Sequence, residues 1–419
     1  MRAAAARLIA IARSPDSRLL ILVRGVRSIG QGALVVDFAL YLRALHWSGG
    51  EIGALLTASM ISGIVLTALV GPLSDRIGRK SLLLGFEATR IAAALIALST
   101  QNPPLLVAAA LLGQYGRGGS GSAGPFGPVE QAWLAHSVAA EERVSLYSLN
   151  SAIGFLGRAC GALLAAMPVL FAGWFDGPLA YRPLFALVLI TSATSLWLIS
   201  RVPDGRETRR RKPAPSEVAL GRRENALLLR LAFANLLQGA ALGLSGPLTA
   251  YWFAVRFGQG PALLGPLAAA TLILAALASL GAGRLAQRHG IVPVVITLRA
   301  VAIGLQVALP LAPNLASAAF FYVAGSLFNR STNGARQALS IGLVRAKRRG
   351  LAASLNSISL SVPRAAGPLI AGLLFDSGHL ALPFLIAAGL NVCYLCVYGW
   401  SFAEHDRATR AAAGAAASP

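Results

Sequence analysis

The sequence predicts an all-α integral membrane protein whose twelve transmembrane helices form two six-helix pseudo-repeats. Of the 419 residues, 56% are hydrophobic and only 13% are charged, and the mean hydropathy is +0.65. This composition leaves too little polar surface for a soluble protein of this size. Twelve apolar segments approach or exceed the length of about 20 residues that crosses a bilayer, and short patterns of the first half recur in the second half.

The predicted spans are apolar stretches bounded by charged segments on one side of the membrane and by Gly- and Pro-rich breaks on the other. They cover residues 19–43, 52–72, 81–99, 104–136, 144–172, 180–200, 226–255, 262–283, 291–312, 315–344, 351–375 and 380–402. The chain is expected to divide into a first bundle at 1–200, a basic linker at 201–225, a second bundle at 226–403 and a tail at 404–419. An even number of spans places both termini on the same side.

The distribution of basic residues predicts the orientation in the membrane. Segments on the side of the termini hold 24 lysines and arginines, whereas the opposite side holds only Arg43, Arg182 and Arg256. The positive-inside rule therefore places both termini, the linker and the tail in the cytoplasm. The richness in arginine and alanine is typical of a GC-rich bacterial genome, so we expect the cytoplasmic (inner) membrane of a bacterium.

The net charge of +21 would suggest a nucleic-acid partner if the chain were soluble. Here the basic residues lie between hydrophobic spans, so we expect them to meet lipid headgroups and expect no nucleic-acid partner. The sequence has no phosphate-binding loop and no His-Glu-x-x-His motif, and its five histidines are scattered. We therefore expect a protein that is not an enzyme and that uses no cofactor and no metal. We also expect it to be a monomer.

The most informative motif, Gly71-Pro-Leu-Ser-Asp-Arg-Ile-Gly-Arg-Lys80, lies between the second and third spans. The pattern predicts a tight cytoplasmic turn, because glycine permits positive φ and basic side chains favour the cytoplasmic face. Asp75 is placed to cap or face a helix N-terminus. A degraded copy ending at Gly290 follows 212 residues later, with Gln287 in place of the aspartate. The candidate functional residues of the motif are Gly71, Asp75, Arg76, Gly78, Arg79 and Lys80.

Further patterns show that the chain is duplicated. At an offset of 206 residues, Gln131-Ala132 recurs as Gln337-Ala338, and Leu149-Asn150-Ser151 recurs as Leu355-Asn356-Ser357. Gln31-Gly32-Ala33 recurs at 207 as Gln238-Gly239-Ala240, which relates the first span to the seventh. Two six-span copies that both begin in the cytoplasm are parallel repeats about an axis along the membrane normal.

The 71–80 motif resembles the loop between helices two and three of the major facilitator superfamily, and the repeat and span count extend the resemblance over nearly the whole chain. The resemblance implies a secondary transporter that works by alternating access, with helices one, four, seven and ten around a central cavity. It also implies that Asp75 faces the start of helix eleven and helps to latch one access state, and that Arg79 pairs with neighbouring acids.

Acidic residues inside the spans are few, and each needs a partner, a water-filled cavity or a proton, because a carboxylate costs about 2.5 to 3.5 kcal/mol at mid-bilayer. Asp37 is the candidate for the coupling proton, and pairing with Arg43 is the alternative. Glu87 is three residues before Arg90, which places both side chains on one helical face and predicts a structural pair.

Several other polar residues of the spans are candidate substrate or gating residues. The repeat places Arg336 at the position equivalent to Glu130, so these two charges either gate a cavity or pair separately within each half. Arg158 and Arg364 are repeat mates about 21 Å into their spans, where they either hold an anion together or each brace its own half. The Gly-rich stretch 113–127, which contains Arg117, predicts irregular backbone beside a cavity. The candidate substrate-binding residues are Arg158, Arg364, Gln31, Gln238 and Arg117.

The expected function is transport of a small organic solute, coupled to protons and directed outward. Two alternatives stay open: uptake of an organic or phosphorylated anion, and a non-transport sensor built on a transporter fold.

Overall fold

The computed structural model of the protein describes residues 15–116, 126–134, 143–171, 173–175, 177–202, 218–343 and 349–417. Across these ranges the regular structure is helical, and no strand occurs in them. Nine helices of this described part are long and apolar enough to cross a bilayer, and two further apolar helices are shorter. The predicted all-α membrane class is confirmed.

The helices of the first half match its six predicted spans, two of which consist of two helices each. They are α1 (Pro15–Ala44), α2 (Gly49–Ile77), α3 (Arg79–Ser99), α4 (Pro103–Gly113), α5 (Phe126–Leu134), α6 (Arg143–Leu164), α7 (Met167–Phe171) and α8 (Arg182–Arg201). A short 3₁₀ helix, Gly177–Tyr181, precedes α8. The fourth span is interrupted after Gly113, where Gln114 adopts a left-handed conformation with φ 54. The predicted irregular backbone is therefore present where it is described, whereas residues 117–125, including Arg117, lie outside the described ranges.

The second half also follows its predicted spans. Its helices are α9 (Val218–Ser245), α10 (Thr249–Phe257), α11 (Pro261–His289), α12 (Ile291–Ala308), α13 (Leu315–Ser331), α14 (Asn333–Gly342), α15 (Arg349–Asp376) and α16 (Leu382–Ala417). The interruptions between α9 and α10 and between α13 and α14 are not predicted from the sequence. α9 begins within the predicted linker, and α16 continues through the predicted tail.

The turn between α2 and α3 is much shorter than the sequence predicts. α2 runs on through Gly71 and Asp75 to Ile77, and the single residue Gly78, with φ 84, separates it from α3. Gly290, with φ 97, separates α11 from α12 in the same way. The predicted ten-residue turn was wrong. The helical hydrogen bonds of α2 continue to Ile77, and the reversal needs only Gly78, because glycine tolerates a positive φ.

Glycines bring two helix pairs into direct backbone contact. A Cβ atom on Gly161 of α6 would collide with the backbone of Ile29 and Ala33 in α1. In the second half, a Cβ atom on Gly367 of α15 would collide with the backbone of Gly243 in α9. Small residues permit such close packing in membranes. Each of these pairs joins the first and fifth spans of its own repeat.

Packing divides the chain into two units, Met1–Arg206 with Gly246–Ile273, and Glu207–Ser245 with Leu274–Pro419. The first unit therefore includes α10, which the sequence-based boundaries assign to the second bundle. The apolar core of the first unit contains Leu20 and Trp133, and that of the second contains Tyr394 and Phe402.

Candidate functional site

A buried ion pair connects α1 and α5 in the first unit. Arg27 Nη2 lies 2.8 Å from Glu130 Oε2, and both side chains are 1% exposed. Asn150 Nδ2 of α6 donates to Glu130 Oε1 at 2.6 Å, and the Arg27 guanidinium carbon lies 3.3 Å from the centre of the Phe126 ring. These contacts match the alternative in which Glu130 pairs within its own half. A gate formed with Arg336 stays a prediction.

A second buried carboxylate of the first unit also has an arginine partner. Glu87 Oε2 of α3 lies 3.9 Å from Arg90 Nη1, and the glutamate side chain is fully buried. The structural pair predicted from their spacing is confirmed as an ion pair, in which the oxygens of Glu87 have no hydrogen-bond partner among the described residues. This pair and the Arg27–Glu130 pair give the first unit two buried carboxylates, each with a nearby guanidinium.

Asp37 of α1 differs from Glu87 and Glu130 in that it has no arginine at ion-pair distance among the described residues. Its side chain is buried, and neither carboxylate oxygen has a hydrogen-bond partner within the part of the chain that the structure describes. The next turn of α1 carries Tyr41, whose ring lies 5.0 Å from the ring of Phe185 and 5.8 Å from that of Tyr181, measured between centres. Arg43, the alternative partner, is exposed and lies 6.0 Å from the centre of the Tyr251 ring. Asp37 therefore lies beside an aromatic cluster and makes no ion pair with described residues.

The second unit contains a buried arginine on α12 whose hydrogen-bond partners among the described residues are neutral. Arg299 Nη2 donates to Asn329 Oδ1 at 2.7 Å, and Arg299 Nε donates to Thr332 Oγ1 at 3.4 Å. Its guanidinium carbon lies 4.9 Å from the centre of the Tyr394 ring. A small cavity of about 10 Å³, lined by Arg299, Gln306, Asn329 and Asn391 among others, adjoins it. Such a volume holds about one water molecule.

A second arginine lies close to the same tyrosine. Arg336 of α14 donates through Nη2 to Gln238 Oε1 of α9, and its guanidinium carbon lies 5.4 Å from the centre of the Tyr394 ring. The two guanidinium carbons are therefore no more than about 10 Å apart. At an effective dielectric constant of 20, two like charges at that distance repel by about 2 kcal/mol. Because Arg336 is half-exposed, solvent screens its charge and the repulsion between the two arginines is weaker than this value.

Equivalent positions of the two repeats carry opposite charges. Glu87 and Arg299 each lie nine residues after the glycine that separates two helices, Gly78 in the first half and Gly290 in the second. Glu130 and Arg336 are equivalent at the offset of 206 residues. The positions of Glu87 and Glu130 in the first unit are thus guanidinium positions in the second unit.

A long stretch of the second half contains no acidic residue, which the sequence-based prediction missed. No aspartate or glutamate occurs between Glu224 and Asp376, so α10 to α14 contain no acidic residue. The later acid Asp406 of α16 accepts hydrogen bonds from the first backbone amides of α12, Ile291 N at 3.1 Å and Val292 N at 3.4 Å.

Contacts with the Tyr394 ring are worth about 0.5 to 2 kcal/mol for each guanidinium, whereas burying an ion costs several kcal/mol. The ring alone does not compensate both arginines.

The motif residues at the junction of α2 and α3 have one clear role. Lys80 Nζ donates to the carbonyl oxygen of Val202 at 2.8 Å, just beyond the C-terminus of α8. A cation at this position satisfies a free carbonyl and complements the helix dipole. Arg79 opens α3 as its first residue. Asp75 and Arg76 lie in the last turn of α2, and their side chains are outside the described part.

The remaining candidate substrate residues lie on separate elements. In the first unit, Arg158 of α6 is buried, with its guanidinium carbon 4.8 Å from the centre of the Phe155 ring, and Gln31 of α1 is half-buried. In the second unit, Arg364 of α15 is half-buried and Gln238 of α9 is buried, bonded to Arg336 as described. Their roles in substrate binding stay predictions.

The long apolar helices and the internal duplication are those of a multi-pass membrane protein. The sequence profile of the Major Facilitator Superfamily matches residues 20–234 and 231–418, and the chain belongs to this superfamily. Its members are transporters, so the expectation of a non-enzymatic membrane protein agrees with the family.

Solved transporter structures have a similar fold at low sequence identity. A mutant of the nucleoside transporter NupG matches with a TM-score of 0.71 at 14% identity, covering 92% of this chain and 99% of that one. An autoinhibited POT family peptide transporter matches with a TM-score of 0.69 at 13% identity, covering 92% and 96%. A D-xylose-proton symporter matches with a TM-score of 0.64 at 14% identity, covering 91% and 96%. These similarities show the fold alone.

A sequence relative is an uncharacterized membrane protein of Saccharomyces cerevisiae. It is 24% identical over 154 residues, which make up 37% of this chain and 34% of the yeast protein. The similarity therefore spans about a third of that relative.

Proposed function

We propose that the protein is a secondary transporter that moves a small organic solute by alternating access and couples this movement to protons through Asp37. The observation that carries the proposal is the buried carboxyl group of Asp37, which has neither a hydrogen-bond partner nor an ion pair among the described residues. Ionising such a group without a partner is costly. A change of access that admits water or a polar solute would lower this cost, and the group would then exchange its proton.

The surroundings of Asp37 support a role in coupling. The aromatic rings of Tyr41, Tyr181 and Phe185 form a cluster one turn further along α1, and Arg43 lies near the Tyr251 ring instead. A nearby arginine would hold the carboxylate permanently charged and would remove its capacity to carry a proton. Two further expectations from the sequence remain proposals: the latch at Asp75 and the charge pair of Glu130 with Arg336.

The test uses the full chain reconstituted in proteoliposomes with a trapped pH-sensitive dye. Ligands are first selected by their effect on the melting temperature of the purified protein, using anionic metabolites and lipophilic cations. We expect addition of a selected ligand to move protons across the membrane. Asp37→Asn should abolish uphill transport driven by a pH gradient while exchange of solute across the membrane continues.

Asp376→Asn is the matched control, because Asp376 is an exposed aspartate at the end of α15. This variant should transport like the unmodified protein. Undiminished uphill transport by Asp37→Asn would exclude the coupling role. The same assay, with the orientation of the inserted protein determined, measures direction, for which we propose export. The excess of basic residues on one side supports the proposed orientation, with both termini in the cytoplasm of a bacterium.

A further inference from the structure

We propose that Arg299, Arg336 and Tyr394 form an anion-binding site in the second unit, which takes the carboxylate or phosphate group of the transported solute. The inference rests on the proposed transport function, since it names the substrate class of the same protein. It is tested by binding, so its failure and the failure of transport are distinguishable.

The charge balance of the second unit is the first argument. Arg299 is 3% exposed, and its described hydrogen-bond partners, Asn329 and Thr332, are neutral. Arg336 donates to the neutral amide of Gln238. With no acidic residue between Glu224 and Asp376, the helices that carry these two arginines supply no carboxylate to balance them. A bound anion supplies the missing charge.

The comparison of the repeats is the second argument. The first unit places Glu87 and Glu130 at the positions of Arg299 and Arg336, and each glutamate has an arginine within 4 Å. At these two positions the first unit therefore pairs each buried carboxylate with one of its own arginines. The second unit has the reverse charges at the same positions without the corresponding acids, which is the arrangement that an anionic ligand completes.

The hydrogen-bonding groups around the two arginines are the third argument. The hydroxyl oxygens of Tyr394 and Tyr398 are buried and have no hydrogen-bond partner among the described residues. The centres of their rings lie 5.4 Å apart. Each hydroxyl can donate to an oxyanion, and a guanidinium binds a carboxylate or phosphate through two parallel hydrogen bonds. Arg336 is half-exposed whereas Arg299 is buried, so an anion would approach from the side of Arg336.

The experiment measures binding of inorganic phosphate and of succinate to the purified full chain by isothermal titration calorimetry, at constant ionic strength maintained with sodium chloride. Choline serves as the cationic probe. We expect both oxyanions to bind and choline not to bind. Arg336→Gln should weaken oxyanion binding by about tenfold or more, because it removes one charge-assisted partner. Arg336→Lys, which keeps the charge and loses the planar fork, should give an intermediate loss.

Arg230→Gln is the matched control. Arg230 is an exposed arginine of the same unit, stacked 5.2 Å from the centre of the Trp400 ring, and its variant should bind oxyanions normally. Tyr394→Phe provides a second measurement, since it keeps the ring and removes only the hydroxyl. It should weaken binding by several-fold at an unchanged melting temperature.

Three results would overturn the proposal: no binding of either oxyanion, equal binding by Arg336→Gln and Arg230→Gln, or preferential binding of choline. Transport is measured separately. Oxyanion binding that depends on Arg336, in a protein that shows no proton-coupled flux, would support the anion site and reject the proposed coupling. Proton-coupled flux of a neutral or cationic solute without oxyanion binding would support the proposed coupling and reject the anion site.

Discussion

Removing the carboxylate of Glu130 tests whether the buried pair with Arg27 stabilises the first unit. In Glu130→Gln the side chain keeps its shape, but the Arg27 charge, at 1% exposure, loses its partner at 2.8 Å. Breaking a buried pair by removing one partner costs about 3 to 5 kcal/mol. The glutamine oxygen still accepts one hydrogen bond, from Arg27 or from Asn150, and recovers about 1 kcal/mol. We therefore expect a loss of about 2 to 4 kcal/mol in the free energy of unfolding.

The double variant Arg27→Gln with Glu130→Gln separates the charge effect from the loss of packing. It leaves no unpaired charge, so its loss should be smaller than the sum of the two single losses by about 1 to 3 kcal/mol. Unfolding is measured in mixed detergent micelles from the fluorescence of the six tryptophans. Glu51→Gln is the control, because Glu51 is exposed and its amide replacement still accepts from Ser48 N. That variant should change stability by less than about 0.5 kcal/mol.

Additive losses in the double variant would refute this reasoning, since they would mean that the two charges do not stabilise each other. A loss below about 0.5 kcal/mol for Glu130→Gln alone would refute it as well.

Two further predictions concern the junction of α2 and α3 and the glycine contacts. Asp75→Asn should shift the distribution of access states while folding is retained, as measured by labelling of introduced cysteines from each face of the membrane; identical labelling in both proteins would argue against a latch. Gly161→Ala should destabilise the protein by about 1 to 3 kcal/mol because the new methyl group meets the backbone of α1, the usual cost of overpacking. Gly85→Ala is its control, since open space surrounds that helical glycine, and a gain of about 0.5 to 1 kcal/mol is expected from helix propensity. Equal effects of the two substitutions would disprove close backbone packing at Gly161.

Much of the fold was predictable because a bilayer imposes one length on every span. Each predicted span has a counterpart among the described helices, and the repeat was readable from short patterns. The i,i+3 pair of Glu87 with Arg90 was equally accessible, since spacing on one helix fixes which side chains meet. The interruption of the seventh span was missed although Gly246 and Pro247 mark it in the sequence.

Partners on different helices were not predictable from one sequence. Nothing local assigns Glu130 to Arg27, which lies 103 residues away, rather than to its repeat mate Arg336. The same limit applies to Tyr394, which the sequence presents as an ordinary aromatic residue of the last span. Its position near two arginines depends on how α12, α14 and α16 pack. The absence of acids between Glu224 and Asp376, in contrast, is a property of the sequence alone and needs no knowledge of the packing.

The separation of Arg27 from Glu130 has a consequence for biosynthesis. The chain is made from its N-terminus, so Arg27 leaves the ribosome 103 residues before its carboxylate partner. At about 5 to 20 residues per second, the interval is on the order of 5 to 20 seconds. During this time α1 carries an unpaired guanidinium that lipid does not solvate. We therefore expect the first helix to remain in the insertion machinery, or at its aqueous boundary, until the fourth span arrives and the two enter the lipid together.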